Sequence, residues 1–368
     1  MRVLLTLASS SVTGPAERML GDAEVLRASG HEVTVAFDTR RPGNLREACR
    51  ARDLPIAEGL KLSRVSGPWE SWRDVVALRR SLVAGVDLVH AHFSHDHHLA
   101  LLAARGLHAR VRIVRSLEAE GTGSLWALRR TDGLELPFEA LAQSERLRGM
   151  GERVAVLPSA VDPERFSPGR SSKLRHRMGL GLDAALIGIV ARLKPERRHA
   201  ELIEAFAHVV AKAPQARLVI IGRGEGQAAL ERQVADLGLQ NLCLFAGYWE
   251  GDDLVEAYRG LDLAVWLANG NDGGARGVLE AMAIGLPVVA YATPPMSEQL
   301  TEGCGVLVPA GDTGQLAVRL GDLVQDIGLR AAIGARAREQ VLARYTWEQR
   351  GPALLAFYAR VRGLPAAR

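Results

Sequence analysis

The sequence has few cysteines and few aromatic residues, and both shortages exclude classes of protein. Its cysteines, Cys49, Cys243 and Cys304, lie far apart and fit neither a disulfide framework nor the spacing of a zinc site, so we interpret them as core thiols. Aromatic residues make up 5% of the chain, and no basic run is interleaved with them. This pattern argues against a nucleic-acid-binding protein.

Long apolar runs are also absent. No segment approaches the roughly 20 apolar residues that a membrane-spanning helix requires. The apolar stretch 1–7 runs into serines, as a buried strand does and a signal peptide does not. We therefore expect a cytoplasmic protein, with at most peripheral contact at the inner face of the cytoplasmic membrane.

Lysine is scarce as well, so the positive charge comes almost wholly from arginine. The 368 residues carry a formal net charge of +4 with only four lysines. This balance allows weak attraction to anionic lipids or polyphosphates. The length is about twice that of a usual domain, and 48% of the residues are hydrophobic, which is enough for two cores.

What the sequence does contain is a regular alternation of apolar strands and amphipathic helices, which predicts parallel sheets covered on both faces. We expect strands at 2–7, 32–37, 87–92, 111–114, 154–158, 186–190, 218–221, 243–246, 263–267 and 287–290. A segment rich in proline and glycine, 159–170, interrupts the pattern. The prediction is an α/β protein with Rossmann-like domains at 1–165 and 166–345, facing a central cleft.

The stretch 271–290 reads as a glycine-rich loop, a helix and then an apolar strand. Exposed amides of Gly273 and Gly274, at the positive end of the helix dipole, would form a seat for a phosphate. Asp272 and Glu280 bracket this seat with acceptors suited to sugar hydroxyls. The alternative is a helix that Asp272 merely caps.

A second candidate anion site is the loop after the strand at 186–190. It contains Arg192, Lys194, Arg197 and Arg198. Arginine forks match phosphate oxygens with two bonds at once, so the loop could neutralise a diphosphate. A solvated basic turn is the alternative.

The run Gly-Arg-Gly-Glu-Gly at 222–226 lies between a strand and a helix, as in a dinucleotide fingerprint. The following strand, 243–246, ends without the acidic residue that should bind a ribose, so this signal for a nicotinamide or flavin enzyme is weak.

Five histidines fall within nine residues: His90, His92, His95, His97 and His98. Imidazole is the commonest metal ligand, but no carboxylate pattern completes a known metal site. We favour a polar loop at the ligand edge of the sheet, with His92 and His95 as acceptor-side candidates and no metal.

The order and spacing of these motifs resemble family 4 of the retaining glycosyltransferases, which have the GT-B fold. The resemblance covers nearly the whole chain. It rests on the loop at 14–18, the Asp-x-Val-His-x-His step at 87–92, the interdomain linker at 158–166 and the basic loop at 192–197. The most specific match is Glu-Ala-Met-Ala at 280–283 with Gly-Leu-Pro at 285–287.

The resemblance implies roles for individual residues. Glu280 would hold the nucleotide ribose, and Arg192 with Arg197 the diphosphate. The other donor-binding candidates are Gly14, Gly222, Gly273, Gly274 and Ala275. Asp272 and Glu118 join the two arginines as catalytic candidates, and residues 346–368 would form a helix that crosses back to the first domain.

Several positions depart from the family pattern. Asp272 and Arg197 replace a glutamate and a lysine, Pro15 replaces the second glycine of a pair, and Ser159 replaces an asparagine. Glu118 stands where members usually carry a histidine. A family subset associated with lipopolysaccharide has the same Asp-Gly-x-x-Arg run as 272–276, so Asp272 alone does not argue for inactivity.

The implied activity is transfer of a sugar from a nucleoside diphosphate sugar to a glycan or glycolipid acceptor, without metal or cofactor, in synthesis of envelope polysaccharide or lipopolysaccharide. Two alternatives stay open: a catalytically silent nucleotide-sugar-binding protein and a GT-B epimerase. Peripheral contact with anionic membrane is predicted from a basic and apolar helix face at 72–82, with Trp72 inward, and from arginines at 105, 110, 112 and 115.

Overall fold

The computed structural model describes residues 1–57, 59–65, 67–107, 110–181, 183–268 and 275–367. They form two compact units, one of residues 1–159 and 347–367 and one of residues 160–268 and 275–346. The first unit ends earlier than the predicted residue 165. Val161 is already fully buried in the core of the second unit, and its N–H donates to the carbonyl of Tyr345 at 2.8 Å.

The first unit contains a parallel sheet with strand order β2-β1-β3-β4-β5-β6. Its strands are β1 (Arg2–Leu7), β2 (Glu32–Phe37), β3 (Leu88–Ala91), β4 (Arg112–Ser116), β5 (Gly133–Leu136) and β6 (Val154–Val156). β1 pairs with β2 and β3 on its two sides, so the sheet grows outward from the first strand of the chain.

Helices connect these strands, as the right-handed crossovers of a parallel sheet require. They are α1 (Gly14–Ala28), α2 (Leu45–Arg50), α3 (Pro68–Val83), α4 (Ser94–Ala103), α5 (Leu125–Arg129) and α6 (Glu139–Ala142). α1 and α3 carry Pro15 and Pro68 in their first turns, where proline fits because no amide donor is needed.

The second unit also contains a six-stranded parallel sheet, with strand order β12-β11-β10-β7-β8-β9. Its strands are β7 (Ala185–Val190), β8 (Ala216–Ile221), β9 (Cys243–Gly247), β10 (Leu263–Trp266), β11 (Val288–Tyr291) and β12 (Val306–Val308). Its helices are α7 (Lys173–Arg177), α8 (His199–Val210), α9 (Gln227–Asp236), α10 (Gly251–Arg259), α11 (Arg276–Ile284), α12 (Pro294–Gln299), α13 (Thr313–Gln325) and α14 (Ile327–Arg344).

The last helix, α15 (Trp347–Gly363), belongs to the first unit. Leu354, Phe357, Tyr358 and Val361 are buried in the core that β1 and α1 form. Trp347 lies directly against Gly21 of α1. α15 therefore completes the apolar covering of the first sheet.

Two predictions about side chains are wrong. Trp72 was expected inward, but 57% of it is exposed, and the buried apolar residues of α3 are Val75, Leu78 and Leu82. Arg115 was expected at a basic surface, but it lies on the buried strand β4 and is only 2% exposed. The three cysteines are buried free thiols, as expected. No helix among the described residues is long and apolar enough to cross a bilayer.

The packing of α15 on α1 predicts the effect of a small substitution. Gly21→Ala places a Cβ on the Trp347 ring, and we expect a loss of about 1–3 kcal/mol in the free energy of unfolding from overpacking. Gly321→Ala is the matched control, because it adds a Cβ in open space within α13 and should stabilise by about 0.5–1 kcal/mol. Urea unfolding of both variants checks this, and similar effects would contradict it.

Candidate active site

The basic loop of the second unit lies at the carboxyl end of β7, as the sequence predicts. Arg192 is exposed, whereas Arg197 is 5% exposed and its guanidinium lies 5.5 Å from the centre of the Trp266 ring. Lys194 is 3.8 Å from the exposed carboxylate of Glu225. The loop thus places one solvent-facing arginine and one buried arginine at the edge of the sheet where ligands of such folds bind.

Gly222 gives this loop its shape. A Cβ at position 222 would overlap the carbonyl oxygen of Ala191, and one at Gly224 would overlap that of Leu193. The Leu193 N–H donates to Arg223 at 3.1 Å, and the Gly226 N–H donates back to Leu193 at 3.0 Å. The glycine run 222–226 therefore holds the basic loop against the turn after β8, which is a structural reason for glycine at these positions.

Glu280 lies on α11 and both of its carboxylate oxygens have partners. Arg276 donates to Oε1 at 2.8 Å and Tyr258 donates to Oε2 at 3.3 Å. Burial, reinforced by the Glu280 charge, raises the pKa of Tyr258 well above its ordinary value, so the hydroxyl stays a donor. The carboxylate is thus held in one orientation with 7% of the residue exposed.

Ala275 precedes α11 in the left-handed region, with φ of 32°, and is buried. That conformation is uncommon for a residue with a Cβ and marks a sharp entry into the helix. The candidates Asp272, Gly273 and Gly274 lie outside the described residues, so their roles stay predictions.

In the first unit, Glu118 forms an ion pair with Arg18. Arg18 lies on α1, one turn beyond Gly14 at the start of that helix, and is 4% exposed. The side chain of Glu118 is 12% exposed, at the end of β4. A carboxylate at this position is therefore matched by a buried guanidinium.

Arg18 connects Glu118 to a buried charge network centred on Arg350 of α15. Arg18 is 3.6 Å from Glu135, which accepts from Arg350 at 2.8 Å. Arg350 also donates two bonds to Asp22, at 2.8 and 2.9 Å. Burial opposes ionisation of Glu135, but the charges of Arg350 and Arg18 outweigh it and lower its pKa to about 2.

The histidines at the end of β3 are mostly buried hydrogen-bonding groups. His90 is 2.7 Å from both Tyr358 and Ser116, and burial lowers its pKa to about 4. The ring of His92 contacts the carbonyl of Thr6 at 3.0 Å. Burial lowers the pKa of His92 and of half-buried His95, so both are neutral near pH 7.

Asp22, His90 and His92 place possible ligand atoms within 4.8 Å of one another. Both oxygens of Asp22 already bind Arg350, and both nitrogens of His90 have hydroxyl partners. The nearby guanidinium charges also disfavour a cation. These contacts occupy the ligand atoms of Asp22 and His90, whereas Nε2 of His92 is buried without a hydrogen-bond partner. Metal independence of the reaction stays a prediction.

The network residues Asp22, Glu135, Arg350 and Tyr358 were not predicted from the sequence. Only Glu135 carries a local signal, because it is a single acid between Leu134 and Leu136. Asp22 and Arg350 lie 328 positions apart, so no local pattern could pair them.

Two family models match the chain. The model for Glycosyltransferase Family 4 matches residues 19–165, and the model for Glycosyl transferases group 1 matches residues 172–340. Together they cover most of the chain. The chain belongs to glycosyltransferase family 4.

Curated relatives in this family match part of the chain. A D-inositol 3-phosphate glycosyltransferase from Stackebrandtia nassauensis is 33% identical over 230 residues, which cover 60% of this chain and 52% of the relative. A GDP-mannose-dependent monoacylated alpha-(1-6)-phosphatidylinositol monomannoside mannosyltransferase from Corynebacterium glutamicum is 33% identical over 54% of each chain. The chain thus spans about half the length of the curated relatives it matches.

Solved structures show that this family 4 chain has the GT-B fold. Alr3699/HepE from Anabaena, in complex with UDP and glucose, superposes with a TM-score of 0.83 at 20% identity over 98% of this chain and 99% of that chain. The lipopolysaccharide outer core galactosyltransferase WaaB superposes with a TM-score of 0.74 at 15% identity over 98% and 99%.

The network around Arg350 predicts a large effect on stability. Arg350→Met leaves the buried carboxylates of Asp22 and Glu135 without their guanidinium, and we expect a loss of about 3–5 kcal/mol in the free energy of unfolding. Lys173→Met is the control, because its ion pair with Asp253 is half exposed and contributes at most about 1 kcal/mol. Equal losses in chemical denaturation would contradict the prediction.

Buried His199 predicts a pH dependence. Burial and the charge of Arg197 lower its pKa to about 4, so below about pH 6.5 the unfolded chain takes up a proton that the folded protein resists. The stability that neutral His199 provides is therefore lost as the pH falls from 6.5 toward 4, by about 2 kcal/mol at pH 5. Unfolding of His199→Asn at pH 7 and pH 5 should show a shallower decline than the parent, and parallel declines would contradict it.

Proposed function

We propose that the chain transfers a sugar from a nucleoside diphosphate sugar to an acceptor hydroxyl, with retention at the anomeric carbon. The observation that carries this proposal is the basic loop at the end of β7. The glycines at 222 and 224 brace it, and it presents Arg192 and Arg197 at the ligand edge of the sheet. A departing diphosphate needs such fixed positive charge.

The comparisons support a nucleoside diphosphate sugar as donor. One relative is named as GDP-mannose-dependent, and the similar Anabaena structures contain UDP or UDP-glucose. The donors of these proteins carry two different bases, guanine and uracil, so which donor nucleotide this chain uses must be measured. An acceptor that carries a polyol or glycan fits the inositol and phosphatidylinositol mannoside names of the relatives.

The proposed mechanism requires no protein nucleophile. An oxocarbenium-like transition state with a departing diphosphate is stabilised mainly by charge on the leaving-group side, which Arg192 and Arg197 supply. The leaving phosphate itself would accept the proton of the acceptor hydroxyl. Hydrogen bonds from Arg276 and Tyr258 hold the Glu280 carboxylate in one orientation before any ligand binds. Such preorganisation suits a group that binds ribose hydroxyls.

We further propose a place in envelope glycan synthesis, with peripheral membrane contact. The Asp-Gly-x-x-Arg run at 272–276, the phosphatidylinositol-based acceptor of one relative and the lipopolysaccharide role of WaaB support it. The predicted lipid surface at 72–82 stays a prediction: Val75, Leu78 and Leu82 pack into the core of their own unit, whereas Trp72 and the arginines at 73 and 80 are exposed.

A catalytically silent nucleotide-sugar-binding protein is the second candidate. The ion pair between Glu118 and Arg18 favours it, because a carboxylate held by a buried guanidinium replaces the histidine that family members usually carry near the donor sugar. Release of free sugar or transfer product from a bound donor separates the two. A silent protein binds donors without any turnover.

The basic loop gives the test of the proposed function. Arg192→Ala should weaken binding of the nucleoside diphosphate and of the intact donor alike, by about 1.5–3 kcal/mol, since both lose one charge-assisted bond. Isothermal titration with UDP and GDP measures this. Arg232→Ala, an exposed arginine on α9, is the control and should bind as the parent does. Unchanged diphosphate affinity in Arg192→Ala would reject the assignment.

A further inference from the structure

A cavity of about 240 Å³ in the first unit is lined by arginine from three segments. Arg129 comes from the end of α5, Arg146 from the 3-10 turn Glu145–Leu147, Arg148 from the loop that follows it, and Arg153 from the 3-10 turn Gly151–Arg153. One carboxylate, Glu145, shares the wall. Four cations and one anion around one cavity leave a strong local excess of positive charge.

The contacts show which of these charges are compensated. Arg148 pairs with Glu145 at 3.1 Å, and Arg146 donates to the carbonyl of Gly123 at 2.7 Å. Arg129 and Arg153 form no ion pair with any acidic residue in the part of the chain that the structure describes. Two guanidinium groups that line one cavity without an ion pair offer donors to an anion with several oxygens, such as a phosphate.

An exposed leucine lines the cavity, and an exposed tryptophan follows it in the chain. Leu125 lines the cavity and is 43% exposed, and the next residue, Trp126, is 41% exposed. The guanidinium of Arg130 lies 4.7 Å from the centre of the Trp126 ring. An exposed aromatic and a leucine beside unpaired arginines match a membrane surface, where rings lie at the headgroup level and arginines meet lipid phosphates.

We propose that this arginine cavity is the lipid contact of the first unit and takes the phosphate of an anionic phospholipid headgroup. The inference rests on the proposed function, because an envelope glycosyltransferase meets its acceptor at a membrane. We place the contact at this cavity because four arginines line one concave surface, and the face at 72–82 serves as the comparison in the experiment.

Vesicle sedimentation of the full chain tests the proposal, with phosphatidylcholine vesicles compared with vesicles that also contain phosphatidylglycerol. Arg129→Ala/Arg153→Ala should weaken binding to the anionic vesicles roughly thirtyfold, from about 1 kcal/mol for each arginine. The matched control, Arg73→Ala/Arg80→Ala on α3, removes the same charge from exposed positions and should bind nearly as the parent does. Arg129→Lys/Arg153→Lys should retain most of the binding, because it keeps the charge.

Equal losses in the two alanine pairs would overturn the proposal, since net charge alone would then explain the binding. Unchanged sedimentation of Arg129→Ala/Arg153→Ala would overturn it as well. Thermal stabilisation of the protein by glycerol 3-phosphate, without any sedimentation with vesicles, would also overturn the proposal, because it would indicate a site for small anions. Thermal stabilisation by nucleoside diphosphates, measured on the same variants, reports the proposed function separately and should not change.

Discussion

The buried guanidinium of Arg350 is the interaction on which the first unit depends. It lies on the last helix and satisfies two carboxylates, Asp22 and Glu135, that water cannot reach. A buried ion pair gains little over an apolar replacement of the same volume, but removal of one partner leaves a charge uncompensated. The network therefore specifies where α15 packs more than it adds stability. A shift of α15 by one turn would leave the charges of Arg350, Asp22 and Glu135 buried without partners.

The same network explains how Glu118 can be a carboxylate in a mostly buried position. Its carboxylate is compatible with a mostly buried position only because Arg18 lies beside it, and Arg18 is oriented in turn by Glu135. A glutamate at this position, where the family resemblance implies a histidine, is therefore not an isolated change. It is one member of a set of compensating charges, and Glu118 has a structural reason to be present whether or not it contacts a donor sugar.

The sequence was sufficient for the fold and for the position of the basic loop that we propose binds the diphosphate, but not for the buried charges. Apolar strands and amphipathic helices follow from local periodicity, and so do the positions of Arg192 and Glu280 at sheet edge and helix. Glu135 breaks that rule, because a charged residue is expected at the surface unless a partner is known. The prediction for Trp72 was wrong for a related reason. Periodicity indicates which face of a helix is apolar, but not how much of that face the core covers.

The arginines explain why net charge is a poor guide to where this chain binds anions. Arg18 and Arg350 are matched by buried carboxylates, and Arg198 pairs with Glu201 at 2.8 Å. Arg192, Arg129 and Arg153 are among the described arginines that form no ion pair, although Arg148 at the same cavity pairs with Glu145. A net charge of only +4 can therefore coexist with two proposed anion sites, because acidic residues pair with some arginines and leave others without an ion pair. The geometry of compensation, not the excess of arginine over acid, decides where a phosphate can bind.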